Sequence, residues 1–491
     1  MHGFDPNLVA VGPANNFVAG LRLRGTGDSI DVLRPSDGRA YGDLDSAHVD
    51  QVDQAVTDAW QAYRKGDWAT AEPRHRIRVM RRWADLLESD AEALAPIEAA
   101  GSTRLFSEIC SWDLAYAADC IRFFAEFADK TSGETVPTTP DKMGFTLLEP
   151  YGVIAAIAPW NLPLIMAIWK IAPAIAAGNS VVLKPSELTP FSIVRVAELA
   201  IGAGLPSGVF NIVQGHGASV GDRLCRHPLV AKVSFTGSTQ TGRAIMAACA
   251  AEGPKPVTLE LGGKSAQLVF ADAPDLARTA ATLARGITIN SGQVCVAGSR
   301  LLAHEKVADE LVDRLSQTFS AHRIGPTWVE QTTMGPIISE KQLGQIDAMV
   351  GRALASGGSA VVGGGRAAAP QDGSYFSPTI IAGLAPDAEA IRDEIFGPVL
   401  TVQTFADEEE AYALANDSKY GLAAGVHTGD LNRALRATRA LEAGTIWVNR
   451  YGRSNDYILP TGGYKQSGIG KDLGREAYLA SLRSKAALIQ L

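Results

Sequence analysis

The chain has 491 residues, 46% hydrophobic and 20% charged, with a formal net charge of -8. It can bury large cores, its length suggests roughly three domains, and its scattered Lys and Arg leave no basic face for a nucleic-acid partner. Five cysteines at 110, 120, 225, 249 and 295, odd in number and not closely paired, and an opening "MHGFDPNLVAVGPANNF" without a basic region and apolar core, point to a cytoplasmic protein without structural disulfides.

In chain order, Val49, Val52, Val56, Trp60 and Tyr63 recur at helical spacing behind Ser46, the expected N-cap. Helices are expected to continue to about residue 130, where "KTSGETVPTT" marks a boundary or an exposed excursion. From Pro150 to Trp169 no residue is charged, a length that suits a membrane span, but Pro159, Asn161 and Pro163 interrupt it. A strand, a turn and a helix start are expected instead.

From 153 onward "VIAAIA", "SVVLK", "VFNIV", "VAKVSF" and "VTLEL" are strand-like runs separated by helix-length segments near 163–177, 190–203, 217–226 and 238–252. Such alternation argues βαβ units and a parallel sheet covered on both faces. A second alternating region, about 265 to 450, contains "SRLLAH", "SAVVGGG", "PVLTVQTF", "LAAGVHTG" and "GTIWVN" and reads as a second α/β domain. The apolar tail "KAALIQL" is expected to pair with the excursion near 131–150 or with another subunit. No internal repeat is evident.

Ligands of a parallel sheet sit beyond the carboxyl ends of its strands, so the loops after the five runs carry the interest. Asn161 in "APWNLP" can donate to a developing oxyanion and Trp160 can pack on a flat ligand; an ordinary turn asparagine is the alternative. Lys184 and Glu187 in "LKPSE" are placed to contact a ribose, where an acid favours NAD over NADP, or they form a solvated loop pair. "GHGASVG" and "FTGSTQTG" each open a helix whose N-terminus suits pyrophosphate, although neither matches GxGxxG and plain turns remain open. Glu260, before Gly262 and Gly263, is either a general base or a surface carboxylate.

Cys295 in "NSGQVCVAGSR" stands as a buried inert thiol or a nucleophile. No histidine lies in these loops to activate it, and His304 is expected at the far end of a following strand. No second Cys or His stands at ligand spacing, so no metal is expected.

Taken together, "PWNLP", "KPSELTP", "FTGST", "LELGGK", "GQVCVAGSR", "EIFGPV" and "GGYKQSGIG" resemble, in order and spacing, the motifs of the NAD(P)-dependent aldehyde dehydrogenase superfamily from about residue 149 to 470. "RPSDGRAYGDLDSAHVDQVDQAV" resembles that family's opening. The resemblance implies an α/β chain with a Rossmann-like parallel-sheet cofactor domain (1–130 and 151–256), a second α/β catalytic domain (257–455) and a small β oligomerisation arm (131–150 and 475–491). It implies NAD-dependent oxidation of an aldehyde to its acid: Cys295 forms a thiohemiacetal and then a thioester, Asn161 and the Cys295 N–H hold the oxyanion, and Glu260 activates the hydrolytic water. Lys170 matches a position near these catalytic residues. Lys184 and Glu187 match the adenosine-ribose contacts, Gly217, Gly237 and Ser238 the pyrophosphate and adenine side, and Glu394 and Phe396 the nicotinamide ribose and ring. Ile157, Trp160 and Leu261 complete the implied cofactor set. NAD is expected over NADP, in a homodimer or homotetramer with no membrane partner.

Val294 and Val296 suggest an apolar mouth around the thiol, and by family alignment "NRYGRSNDY" lines the way in. There Arg450 and Arg453 either recognise a carboxylate or sulfonate or are surface arginines. Trp169 stands where family members acting on succinic semialdehyde tend to carry Arg. Asp472, in "GIGKDLG", stands where many relatives carry a Glu with an auxiliary proton-relay role, which the shorter side chain puts in doubt. Glu260 weighs against transfer of the thioester to coenzyme A, and the presence of Cys295, Glu260 and Asn161 together weighs against a non-catalytic binding protein.

Overall fold

A computed structural model describes residues 3–12, 15–368, 372–454 and 457–491. Three sheets organise the chain around the site. The largest has eight strands in the order Leu21–Leu23, Asn16–Val18, Phe210–Ile212, Ser180–Lys184, Val153–Ile157, Val230–Thr236, Val257–Glu260, Gly468–Ile469. Its five inner strands are the five expected runs, all parallel, and their register brings Ile157 opposite Lys184 and Phe235, and Thr236 opposite Glu260. The carboxyl ends of four strands therefore form one rim. Helices Pro163–Ala176, Ser192–Ala203 and Thr239–Ala251 occupy the connections, and every residue of the first is buried.

Burial on both faces explains the unbroken apolar character of these strands: Val153–Ile157 and Ser180–Lys184 are buried at every position. The uncharged stretch from Pro150 to Trp169 resolves into Val153–Ile157, a turn, and a helix entered through Pro163, a residue suited to the first helical turn. Among the described residues no helix is long and apolar enough to cross a membrane.

The second sheet has seven strands, ordered Ser359–Val362, Thr379–Ala382, Val399–Phe405, Arg300–His304, Ala266–Val269, Ala423–His427, Thr445–Val448, with only the first pair antiparallel. Two of these, Ala266–Val269 and Thr379–Ala382, were not singled out by the sequence pattern; each has only four residues, too few to show a period. His304 closes its strand and caps the following helix, its Nδ1 accepting from the Lys306 N–H at 3.2 Å. It is thus removed from Cys295.

The tail strand Leu482–Gln490 pairs antiparallel with Lys142–Pro150, which also pairs with Thr135–Val136. One expectation is corrected nearer the start. The helix behind Ser46 is Val49–Lys65, capped at His48, where the Gln51 side chain accepts from the His48 N–H at 3.1 Å. Ser46 is held instead by its N–H donating to Asp28 O at 2.9 Å, which fixes it in the connection before the helix.

Candidate active site

The loop carrying Cys295 is built on strained backbone. Asn290 and Ser291 have φ of 50° and 54°, and at Gly292, φ 73°, an added Cβ would lie 2.1 Å from Gly397 O. Such conformations persist only where surroundings over-determine them. Here the fully buried Gln293 side chain does so, donating to Asn290 O at 3.0 Å and Pro336 O at 3.1 Å and accepting from the Ile338 N–H at 2.9 Å. The loop is also fastened to the turn after Val153–Ile157: Asn290 Nδ2 donates to Asn161 O at 2.8 Å, and Asn161 Nδ2 donates to Gln293 O at 2.9 Å. A carboxamide nitrogen has two N–H donors, so Asn161 retains one.

Cys295 is half-buried and lines two cavities, one of about 490 Å³ and one of about 260 Å³. Asn161 and Thr236 line both as well. Burial pushes the Cys295 thiol up to about 12; nearby Glu260 and Glu394 add to this and Arg453 opposes it. The thiolate is therefore not the resting form at neutral pH, and attack needs a proton acceptor or an added positive charge.

Glu260 lines the smaller cavity and is 6% exposed, which removes the surface-carboxylate reading. Burial, then the Asp472 charge, raise its carboxyl well above the ordinary range, while Lys170, Arg453 and Lys471 draw it back. Its Oε1 has no hydrogen-bond partner among the described residues. Behind it, outside both cavities, Lys170 Nζ lies 3.0 Å from Asp472 Oδ2 and 3.4 Å from Ser234 Oγ, all three residues being buried. Asp472 thus spends its reach on Lys170.

The larger cavity is lined by Trp160, Gly237, Ser238, Leu261, Glu394 and Phe396. Trp160 and Phe396 meet edge to face at 5.4 Å, with Phe396 in the left-handed region at φ 54°. Glu394 accepts from the Gly263 N–H at 3.0 Å, and a Cβ on Gly262 would lie 2.3 Å from its other oxygen. Burial pushes the Glu394 carboxyl up to about 7. Ser238 caps helix Thr239–Ala251 by accepting from the Thr241 N–H at 3.1 Å. Helix Glu340–Ala355 adds Gln342, Gln345 and Met349 to the lining. Sequence reasoning missed these because they project from a helix flank, not a strand end.

Farther along the rim, Lys184 Nζ donates to Glu187 at 2.9 Å, and the Glu187 carboxylate lies 3.4 Å from His216 Nδ1. Lys184 is buried, which removes the solvated-pair reading. A Cβ at Gly221 would sit 3.9 Å from both Ile157 and Lys184, and Gly217 opens the same turn with nothing within 4 Å of its Cβ position. These four expected cofactor residues, Ile157, Lys184, Glu187 and Gly217, share the rim without lining the larger cavity.

The smaller cavity has apolar walls: Trp112, Ile165, Met166, Trp169, Val294 and Val296 all line it. Arg453 lines it too, its guanidinium 5.5 Å from the Trp169 ring and 5.7 Å from Trp447, with a bond to Thr461 Oγ1. Arg450 is a correction. It is exposed, donates to Gly452 O at 3.1 Å and Ser454 Oγ at 2.9 Å, and lines neither cavity, because its local bonds turn it along its own loop. Asn455 and Asp456 of "NRYGRSNDY" lie outside the described residues. Trp112, on the helical segment before Leu114, carried no motif signal.

The chain that places this half-buried thiol between two cavities has counterparts among known proteins over nearly its whole length. The model of the "Aldehyde dehydrogenase family" matches residues 23–487. The chain belongs to this family. An aldehyde dehydrogenase of Emericella nidulans is 40% identical over 463 residues, covering 94% of this chain and 91% of that protein. The NADP/NAD-dependent aldehyde dehydrogenase PuuC of Escherichia coli is 44% identical over 421 residues, covering 86% and 84%. Among solved structures, an indole-3-acetaldehyde dehydrogenase complexed with NAD+ superposes with a TM-score of 0.96 at 38% identity, covering 99% of this chain and 98% of that one. A gamma-glutamyl-gamma-aminobutyraldehyde dehydrogenase from Burkholderia cenocepacia gives 0.96 at 40% identity with the same coverage. This aldehyde dehydrogenase is accordingly an oxidoreductase acting on the aldehyde group.

Proposed function

We propose that this aldehyde dehydrogenase oxidises an aldehyde to its carboxylic acid with NAD, through a covalent intermediate on Cys295 that Glu260 helps to hydrolyse. The observation that carries the reading is the position of Cys295, shared by two cavities and joined by Asn161 in both and by Glu260 in the smaller. The larger cavity suits a dinucleotide: glycines at 237 and 262 bring backbone close, Glu394 presents a carboxylate, and Trp160 and Phe396 present flat faces. Glu394 and Phe396 would hold the nicotinamide ribose and ring, Leu261, Gly217, Gly237 and Ser238 the pyrophosphate and adenine side, and Lys184, Glu187 and Ile157 the adenosine end. When bound, NAD supplies the hydride acceptor.

The residues of the chain do the rest. The Cys295 thiol gives up its proton to solvent water, and its sulfur attacks the aldehyde carbon to give a thiohemiacetal oxyanion. Asn161 donates its second amide N–H to that oxygen together with the Cys295 backbone N–H. Oxidation leaves a thioester on Cys295. Glu260, in its ionised form, removes a proton from water as it attacks the thioester carbonyl, and the acid leaves with the thiol restored. Lys170 and Asp472, buried against each other, keep a balanced pair of charges behind Glu260 and set how readily it ionises.

In the same reading residues 1–130 and 151–256 form the cofactor domain, 257–455 the catalytic domain, and 131–150 with 475–491 an arm through which a homodimer or homotetramer assembles. The exposed side chains of Leu488 and Ile489 on the edge strand support edge pairing. Five free cysteines suit a cytoplasmic setting. Glu187, beside Lys184, supports NAD over NADP because its charge opposes a 2′-phosphate. The test is NADH formation, followed by absorbance, across aliphatic, aromatic, amino and acidic aldehydes with NAD and NADP in parallel and no coenzyme A. A strict requirement for coenzyme A, or full turnover by Cys295→Ser, would refute the mechanism.

A further inference from the structure

Three arginines besides the catalytic groups line the smaller cavity, and they differ in what they already hold. Arg104 is fully buried and forked onto Asp113 at 2.7 and 2.8 Å, with Glu108 at 2.8 Å from its other nitrogen. Arg453 is enclosed by Trp169 and Trp447 and bonded to Thr461. Arg285 is exposed, and among the described residues it makes no ion pair or side-chain hydrogen bond. It sits in the last turn of helix Leu276–Thr288, one turn before Ile289 and the Cys295 loop.

Neither carboxylate of this cavity serves as a partner for Arg285. Glu108 is held by Arg104, and Glu260 is buried beside Cys295. The cavity shared by the half-buried thiol and the exposed guanidinium has a largely apolar lining that includes Ile165, Met166, Trp169, Ile289 and Val294. A guanidinium with all of its donors unspent is matched by a carboxylate, which it binds in a bidentate fork.

We infer that Arg285 selects aldehydes with a carboxylate at the end remote from the aldehyde carbon and an apolar body between the two. This rests on the aldehyde-oxidising reading above and names the substrate class of the same site. The carboxylate stays at the solvent end, so it escapes the desolvation cost that a buried anion would meet near Glu260. The apolar body fills the tryptophan-lined middle, and the aldehyde reaches Cys295.

The test compares acid and neutral aldehydes of equal length on the full-length enzyme with NAD: adipic semialdehyde against hexanal, azelaic semialdehyde against nonanal, and para-carboxybenzaldehyde against para-methylbenzaldehyde. The readout is the acid-to-neutral ratio of kcat/KM. The wild type is expected to favour the acid in at least one pair, and Arg285→Gln to lower that ratio about 2- to 5-fold, chiefly through KM. Arg285→Lys, which keeps the charge at the helix end but loses the fork, restores the ratio in part, and Arg285→Glu lowers it further. Added salt lowers the wild-type ratio and leaves that of Arg285→Gln nearly flat. A ratio at or below unity in all three pairs, or one unmoved by Arg285→Gln, overturns the inference alone. NADH from no aldehyde at all overturns the oxidation reading and this inference with it.

Discussion

The two cavities that meet at Cys295 are built by different means. The larger is chiefly a product of the sheet rim, with glycines at 237 and 262, the Ser238 helix cap and Glu394 fixed by a backbone N–H, and helix Glu340–Ala355 closes one wall. The smaller is a product of helix flanks and long side chains, with Trp112, Trp169 and Arg285 drawn from separate helical segments and Arg104 from a bend between two helices. Backbone-built sites tolerate few alternatives, because adding a single Cβ fills them. Side-chain-built walls can be exchanged residue by residue while the thiol stays in place, so chemistry and substrate choice are separable in this fold.

The sharpest break in this comparison is at the shared residue. Cys295→Ser should cut NADH formation by at least ~10⁴-fold while NAD still binds, as measured by calorimetric titration. Glu260→Gln comes next. Steady-state turnover should fall ~10²–10⁴-fold, yet the first turnover should still release a burst of NADH in stopped flow, since only hydrolysis is impaired. Burial and the Asp472 charge raise the Glu260 carboxyl, so its base form fills as pH rises. Steady-state hydrolysis should therefore climb with pH through that ionisation in the wild type and lose the climb in Glu260→Gln.

Asn161→Ala should lower kcat by ~10²–10³-fold, with burst and steady state falling together. Lys170→Met leaves Asp472 buried without its partner and should destabilise the fold by about 3–5 kcal/mol, read by denaturant unfolding. The smallest effect belongs to the backbone-built side: Gly262→Ala pushes against Glu394 and should raise KM for NAD about 10-fold, roughly 1.4 kcal/mol, with kcat for a saturating aldehyde changed less. An equal loss of aldehyde affinity in Gly262→Ala would break the proposed separation of the two cavities.

The same division decides what could be read from the chain. The five inner strands and the residues on their ends were legible because doubly buried parallel strands are continuous apolar runs and their ligand-facing ends fall at turns. Glu260 and Asn161 could be located this way, and Cys295 from its own glycine-bearing stretch, but only the resemblance gave them joint roles. The structure then brought them together: Asn161 is tied to the Cys295 loop through Gln293 and Asn290. Trp112, Arg285 and Gln342 were not legible, since a residue on a helix flank carries no local sign of the cavity it faces. Arg450 misled for a related reason: its place in the chain suited the substrate side, while its bonds to Gly452 and Ser454 turn it elsewhere. The Ser46 cap failed because the helix begins later, at Val49, with His48 at the cap position and its N–H bonded to Gln51.

The last strand of the eight-stranded sheet, Gly468–Ile469, pairs with Leu259 and Glu260, and Ser467 Oγ donates to Gly262 O at 2.8 Å across 205 residues of sequence. A ribosome must therefore synthesise some 205 further residues before the segment bearing Glu260 acquires its neighbour. Contacts of such long sequence separation close slowly. Until they do, the strand Val257–Glu260 presents an open edge, the kind of edge to which other chains can pair.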